Sequence, residues 1–170
     1  MQVQARWRWL LLVIPVACMA FFLADWRYEV ARHSTPEKAQ HLFAPTVGPF
    51  AKVHFGSRVV LFMPSAEDSG TVEAFLLEDT FWGWRVVSAG WDSGGMNSFT
   101  RDGSTFIWGT VDQSLRDVLY HRGHTTYHAH IAGRVWYMEV PFTEHVFYYK
   151  DWQVVLLDGS KIPWARWTTT

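Results

Sequence analysis

Cysteine is almost absent. The 170 residues contain one, Cys18, so the chain can build neither an internal disulfide nor a thiolate metal centre. Charge of one dominant sign is absent as well: the formal net charge is −1 and no Lys/Arg run occurs. That leaves no long-range field to attract a polyanion, and nucleic acid is not an expected partner. No glycine-rich phosphate loop, sequence repeat or low-complexity tract is present. Apolar surface, by contrast, is plentiful. Hydrophobic residues make up 49% and aromatic residues 17%, with 11 tryptophans. Such a chain folds, because disorder needs low hydrophobicity and high net charge. Its length suits a single core.

The longest apolar run begins at Trp9 and ends at Ala24. It reads Trp-Leu-Leu-Leu-Val-Ile-Pro-Val-Ala-Cys-Met-Ala-Phe-Phe-Leu-Ala without one charge, preceded by Arg6 and Arg8 and followed by Asp25. A run of this kind is a membrane segment or an export signal. Its 16 residues, at ~1.5 Å each, fall slightly short of a ~30 Å hydrocarbon layer. The flanks close the gap, since Trp7, Trp26 and Tyr28 suit the interface and the two arginines can snorkel outward. Pro15 bends a helix here without forbidding it.

Three fates compete. In an uncleaved anchor, the leading expectation, the helix continues past Ala24 through Tyr28 and Glu29. In a lipoprotein, Cys18 becomes the lipidated residue. Val16-Ala17-Cys18 ends like a lipobox, but Pro15 stands where that motif wants leucine, and Phe21-Phe22-Leu23 follow where a polar tether is usual. In ordinary export, cleavage follows Ala20, although apolar residues continue beyond it. Arg6 and Arg8 on one flank nearly balance Arg27 and Arg32 on the other, so orientation rests on the short N-terminal tail. That tail stays in the cytoplasm and the C-terminal domain is expected to be extracytoplasmic. Without its first 24 residues the chain carries 13 basic and 16 acidic side chains. A weakly acidic body gains nothing from anionic headgroups and is expected to stand off the bilayer.

The chain divides by texture into an anchor at residues 1–28, a spacer at 29–50, a β domain at 51–163 and a polar tail at 164–170. In the spacer, Ser34 and Glu37 have capping-box spacing and Pro36 tolerates a first helical turn. A short helix to about Phe43 is expected, stopped by Pro45. Beyond it come short runs rich in Val, Phe, Trp, Tyr and Thr, separated by turn signals every ~8–12 residues. Strands are expected at 52–55, 58–63, 71–77, 84–89, 97–101, 105–111, 118–121, 125–131, 134–140 and 146–157, the last as one bent strand or two, with a helical turn only at 113–117. The fold class is all-β, an antiparallel β-sandwich or small barrel, preceded by one N-terminal transmembrane helix and a short spacer.

Within the last third, Trp108-Gly109-Thr110-Val111-Asp112, Leu115, Val118, a turn at Gly123, Ala129-His130-Ile131, Val135-Trp136-Tyr137, Val140-Pro141 and Leu157-Asp158-Gly159 form a pattern. It resembles one that recurs in small exported or membrane-anchored β-sandwich domains of bacteria, many of unknown function. The resemblance implies the fold, a polar closing turn at Asp158-Gly159 and a place outside the membrane. It carries over no catalytic residue.

The most chemically suggestive residues are His121, His124, His128 and His130. On one continuous strand His124, Thr126, His128 and His130 share a face, with Tyr127, Ala129 and Ile131 on the other. A His-x-His pair can chelate a metal ion, zinc by first choice, with Glu139, Glu144 or His145 as a further ligand. The spacing departs from that of cupins: Gly123 precedes His128 suitably, but no carboxylate follows His130 until Glu139, and a second cupin motif is missing. The competing reading is the solvated polar face of an amphipathic strand, which carries more weight.

Asp92-Ser93-Gly94-Gly95 matches the tetrapeptide around the nucleophile of trypsin-like proteases, but no matching His motif precedes it and over seventy residues follow. A turn is the better reading. Of the tryptophans, Trp84, Trp108 and Trp136 belong to strand patterns and hence to a core. Trp164 and Trp167, beyond Pro163, are the candidates for an exposed ligand contact.

The reading that follows is a membrane-anchored, extracytoplasmic β-domain acting as a non-catalytic binding or interaction module of the cell envelope. The bilayer is its partner through residues 9–24, and an envelope protein or a glycan is its partner outside. The alternatives are a zinc-type metalloprotein ligated by His124, His128 and His130, with hydrolysis as its chemistry, and a carbohydrate-binding module built on exposed tryptophan.

Overall fold

The computed structural model describes residues 3–44, 48–68, 70–92, 95–111, 114–143 and 149–167, with side chains from residue 14 onward except that of residue 149. Two helices lead the chain, α1 (Val3–Arg32) and α2 (Pro36–Phe43). Twelve strands follow among the described residues: β1 (Ala51–Phe55), β2 (Arg58–Pro64), β3 (Val72–Thr80), β4 (Gly83–Asp92), β5 (Asn97–Arg101), β6 (Ser104–Thr110), β7 (Leu115–Arg122), β8 (Thr125–His128), β9 (His130–Ala132), β10 (Val135–Val140), β11 (Trp152–Leu156) and β12 (Lys161–Pro163). A last helical turn, α3 (Trp164–Trp167), closes the described chain.

α1 runs unbroken through Pro15 and past Ala24; its 30 residues correspond to ~45 Å. Among the described residues no helix is long and apolar enough to cross a membrane. Positions 9–13 of the apolar run lie outside the residues whose side chains are described. α2 begins one residue later than the Ser34 cap predicts. Thr35 is the N-cap, with extended backbone and its Oγ1 accepting the Lys38 N–H at 3.3 Å, while Ser34 Oγ accepts from the Lys38 ammonium at 3.0 Å. The helix ends at Ala44, whose N–H donates to the Gln40 carbonyl; Pro45, the expected stop, lies outside the described residues.

All strand pairings are antiparallel and form three four-stranded sheets, in the orders β1-β2-β3-β4, β5-β6-β10-β9 and β12-β11-β7-β8. The domain is therefore all-β and antiparallel, but with three sheets in place of the two of a sandwich or the one of a barrel. Side-chain alternation on the middle sheet shows why. Phe106, Trp108 and Val135 point into a core with Phe62, Ala74 and Leu76 of the first sheet. Ile107, Trp136 and Met138 point the other way, into a core with Val118, Trp152 and Val154 of the third. α2 then covers the outer face of the first sheet, where Ala39 meets Val59, Leu61 and Leu77. β2 and β6 are consequently buried on both faces, and their unbroken apolar runs are the signature of that environment.

The expected strand at 125–131 is broken. β8 pairs with β7 in the third sheet, whereas β9 pairs with β10 in the middle sheet. Ala129 is the corner, its N–H donating to the Val118 carbonyl at 2.9 Å. The expected helical turn at 113–117 is also corrected, because residues 115–117 already belong to β7. Residues 146–148 of the last expected strand lie outside the described residues, and β11 and β12 turn at Asp158-Gly159, where Gly159 has φ +85° and Asp158 accepts the Ser160 N–H at 2.8 Å. Trp164, expected in a polar tail, is 1% exposed and packs edge-on against Trp136 and Trp152. The polar-tail boundary at 163 thus cuts through the core between the middle and third sheets.

Candidate functional site

Three sheet edges meet around a cleft of about 420 Å³, to which β1 contributes Lys52 and His54, β8 His128, β9 His130, and β10 Tyr137 and Glu139. On β1, Lys52 and His54 face outward between the buried Val53 and Phe55, as strand alternation requires. His128 Nδ1 lies 2.8 Å from Asp117 Oδ2 on β7, which fixes that ring. The His130 ring packs on Tyr137 with centroids 5.5 Å apart.

Of the three histidines expected to share a metal, two line this cleft. His124 sits in the β7–β8 turn, exposed and away from it. The corner at Ala129 sends His128 and His130 into different sheets, and among the described residues no group of three His, Cys, Asp or Glu is placed to hold a metal ion. Glu144 and His145, the other expected ligands, lie outside the described residues. His54 is the member that the sequence did not single out; its alternation with buried neighbours on an edge strand is the signal that finds it. Among the described residues, no serine, threonine or cysteine lines the cleft. Its imidazoles, phenols, one ammonium and one carboxylate suit hydrogen bonding to a small polar group.

Asp92 explains the tetrapeptide at 92–95. Its buried carboxylate accepts the Gly95 N–H at 2.6 Å and the Thr110 N–H at 2.8 Å. Both oxygens are thus spent fastening the β4–β5 connection to β6, a turn-and-clamp role. Ser93 and Gly94 lie outside the described residues.

The tryptophan expectation is corrected at Trp164, which is core, and Trp167 is half-buried against the same cluster. The exposed indoles are Trp91, 73% exposed on the edge strand β4, and Trp82, 49% exposed at the β3–β4 turn. Trp91 stands at a second cleft of about 430 Å³ with Glu67, Asp68 and Glu73. There the Gly70 N–H and the Thr71 hydroxyl hold the Asp68 carboxyl below the usual carboxylate range.

A third region lies at the end of α1. Ile14, Val16, Met19, Phe21, Phe22 and Leu23 are all about half-exposed or more, and Cys18 is exposed among them. The helix is fastened to the domain just beyond. Trp84 N–H donates to the His33 carbonyl at 2.7 Å, and His33 Nδ1 donates to the Trp84 carbonyl at 2.9 Å. Gly83 passes so close that a Cβ there would lie 2.6 Å from the His33 oxygen. The spacer therefore packs onto the domain. No protein-family model, curated protein or solved structure matches this chain.

Proposed function

We propose that this chain is a single-pass, membrane-anchored module whose β domain faces the extracytoplasmic side and binds an envelope protein or glycan without catalysing a reaction. The observation that carries the reading is the unpartnered apolar surface of α1, where Phe21 is 76% and Val16 66% exposed. An apolar surface of this extent requires a cover, and a charge-free run flanked by Trp and Arg matches a bilayer best. The continuity of α1 to Arg32 supports an uncleaved anchor over cleavage after Ala20.

Membrane fractionation tests this. The full chain is expected to remain in the pellet through alkaline carbonate, and deletion of residues 1–24 to release it. Release of the intact chain by carbonate would overturn the anchor. Cys18→Ser separates the two attachments: retention of that variant supports the helix, and its loss supports lipidation. A substrate turned over at a rate abolished by one polar substitution would overturn the non-catalytic part.

A second reading, a metal-binding module, rests on His54, His128, His130 and Glu139 lining one cleft, although no three of them are placed to share an ion. Elemental analysis of the purified full chain beside H128A and H130A decides it. Stoichiometric zinc lost in both variants supports it, and no metal in the parent sinks it. The glycan reading moves from Trp164 and Trp167 to Trp91, whose fluorescence is expected to respond to cell-wall glycans in the parent and not in Trp91→Ala.

A further inference from the structure

The aromatic tip of the β3–β4 hairpin is unlike an ordinary turn. Tight turns favour Gly, Asn, Asp and Ser, yet Phe81 and Trp82 occupy this one, 78% and 49% exposed. They are not loosely held. The Trp26 ring stacks on Phe81 with centroids 6.1 Å apart and planes at 22°, and Phe81 meets Trp82 edge-on at 5.4 Å. Thr80 Oγ1 closes the turn by donating to the Gly83 carbonyl at 2.6 Å.

Two contacts set the direction of the hairpin along α1. Trp84 is bonded to His33, whereas Phe81 lies on Trp26. Trp26 lies in α1 and His33 immediately follows its last residue, bonded back to the Glu29 carbonyl, so the two are separated by ~10 Å at ~1.5 Å per residue. The hairpin therefore points back towards the N-terminal end of α1. Trp26 stands two residues, ~3 Å, beyond Ala24, the last residue of the apolar run. If that run fills the hydrocarbon layer, Phe81 and Trp82 lie at headgroup depth beside Trp26 and Tyr28, where aromatic side chains are favoured.

We infer that this hairpin tip is a membrane-seating element: Phe81 and Trp82 enter the bilayer interface next to α1 and hold the β domain down on the membrane surface. The inference rests on the anchor reading and is the alternative to a domain standing off the bilayer. Its occupant is lipid and not a protein partner, because the patch is continuous with the exposed apolar face of α1 and at the depth where that face ends. The surrounding charges are mixed, Asp25, Glu29 and Asp79 against Arg27, Arg32 and Arg85, so seating depends on aromatic insertion and does not require anionic lipid.

The test uses the full chain in vesicles of zwitterionic phosphatidylcholine, with Cys18→Ser as background and a nitroxide attached at Phe81→Cys or, separately, Trp82→Cys. Each variant keeps the other ring. A label at Arg101→Cys, the exposed last residue of β5, provides the aqueous reference. Vesicle co-flotation reports α1, and the ratio of oxygen to water-soluble nickel collisions reports depth. The expected result is co-flotation of all variants, with a ratio at positions 81 and 82 several-fold above that at 101. Co-flotation with labels at 81 and 82 as water-accessible as that at 101 overturns the seating and leaves the anchor standing. Labels shielded from both oxygen and nickel overturn it in favour of a protein occupant, a second copy included. A chain that fails to float overturns the anchor and the seating together.

Discussion

Gly109 leaves no room for a side chain in the middle sheet. A Cβ there would lie 2.6 Å from the Gly95 carbonyl and 2.8 Å from Trp136 Nε1, so the backbone or a buried indole would have to shift. Gly109→Ala is therefore expected to destabilise the full chain by ~1–3 kcal/mol through overpacking, read from urea melts in detergent. Trp164 and Trp91 form a second pair for the same measurement. Trp164→Ala removes a fully buried indole and is expected to cost ~3–5 kcal/mol. Trp91→Ala removes an exposed one and should stay within ~0.5 kcal/mol. Equal losses for the two would contradict the assignment of Trp164 to the core. The sequence placed Trp108 and Trp136 correctly because strand alternation carries them. Trp164 belongs to the core although Pro163 and the polar residues after it imitate a chain end, and what it packs on is a surface made by Trp136 of β10 and Trp152 of β11.

At the scale of elements, α2 is held on β1 by the Glu37–Lys52 ion pair, 2.9 Å long. Burial pushes the Glu37 carboxyl up, but the hydrogen bond and charge of Lys52, with help from the backbone and Thr35, outweigh it and hold the group below the usual range. A depressed folded-state value means the pair stabilises fully above the unfolded value near ~4.3, and that the contribution is lost as the pH falls through the folded one. Both partners are more than a third exposed, so its size is ~0.2–1 kcal/mol. The Tm difference between the parent and Glu37→Gln is expected to narrow as the pH is lowered from about 6 to about 3. A difference that is constant over that range would show that the pair contributes no pH-dependent stability. The junction of α1 with the domain makes a parallel case. His33→Ala deletes the ring bond to Trp84 and leaves the backbone bond, so amide exchange at Trp84 is expected to accelerate while the middle sheet is unaffected.

At the scale of the whole molecule, His128→Ala and His130→Ala should each leave stability within ~0.5 kcal/mol, because both side chains are exposed at the cleft. Loss of ligand binding without loss of stability would identify the cleft as a site, and a cooperative fall in Tm would make those rings structural. Much of the architecture was legible. The strands at 58–63 and 97–101 and the helix over 36–43 follow from apolar patterning, turn residues and a capping signal. What was not legible is the stacking. The expectation of a two-layer sandwich overlooked that residues 59–63 and 106–108 are apolar on both faces, a pattern that calls for a layer on each side.

By itself the sequence determined most of the strand segments, that the domain is antiparallel β, and where the charge-free run lies, since these depend on local patterning and short turns. Tertiary structure alone decided that three sheets stack with β6 and β10 in the middle, that residues 125–132 change sheets at Ala129, and that His54 joins His128 and His130. It also decided that an aromatic hairpin lies against the end of α1. The physical reason is the same in each case. Alternation tells a side chain which face of its strand it occupies, but which surface lies opposite depends on residues far away in sequence, brought there by the packing of whole elements.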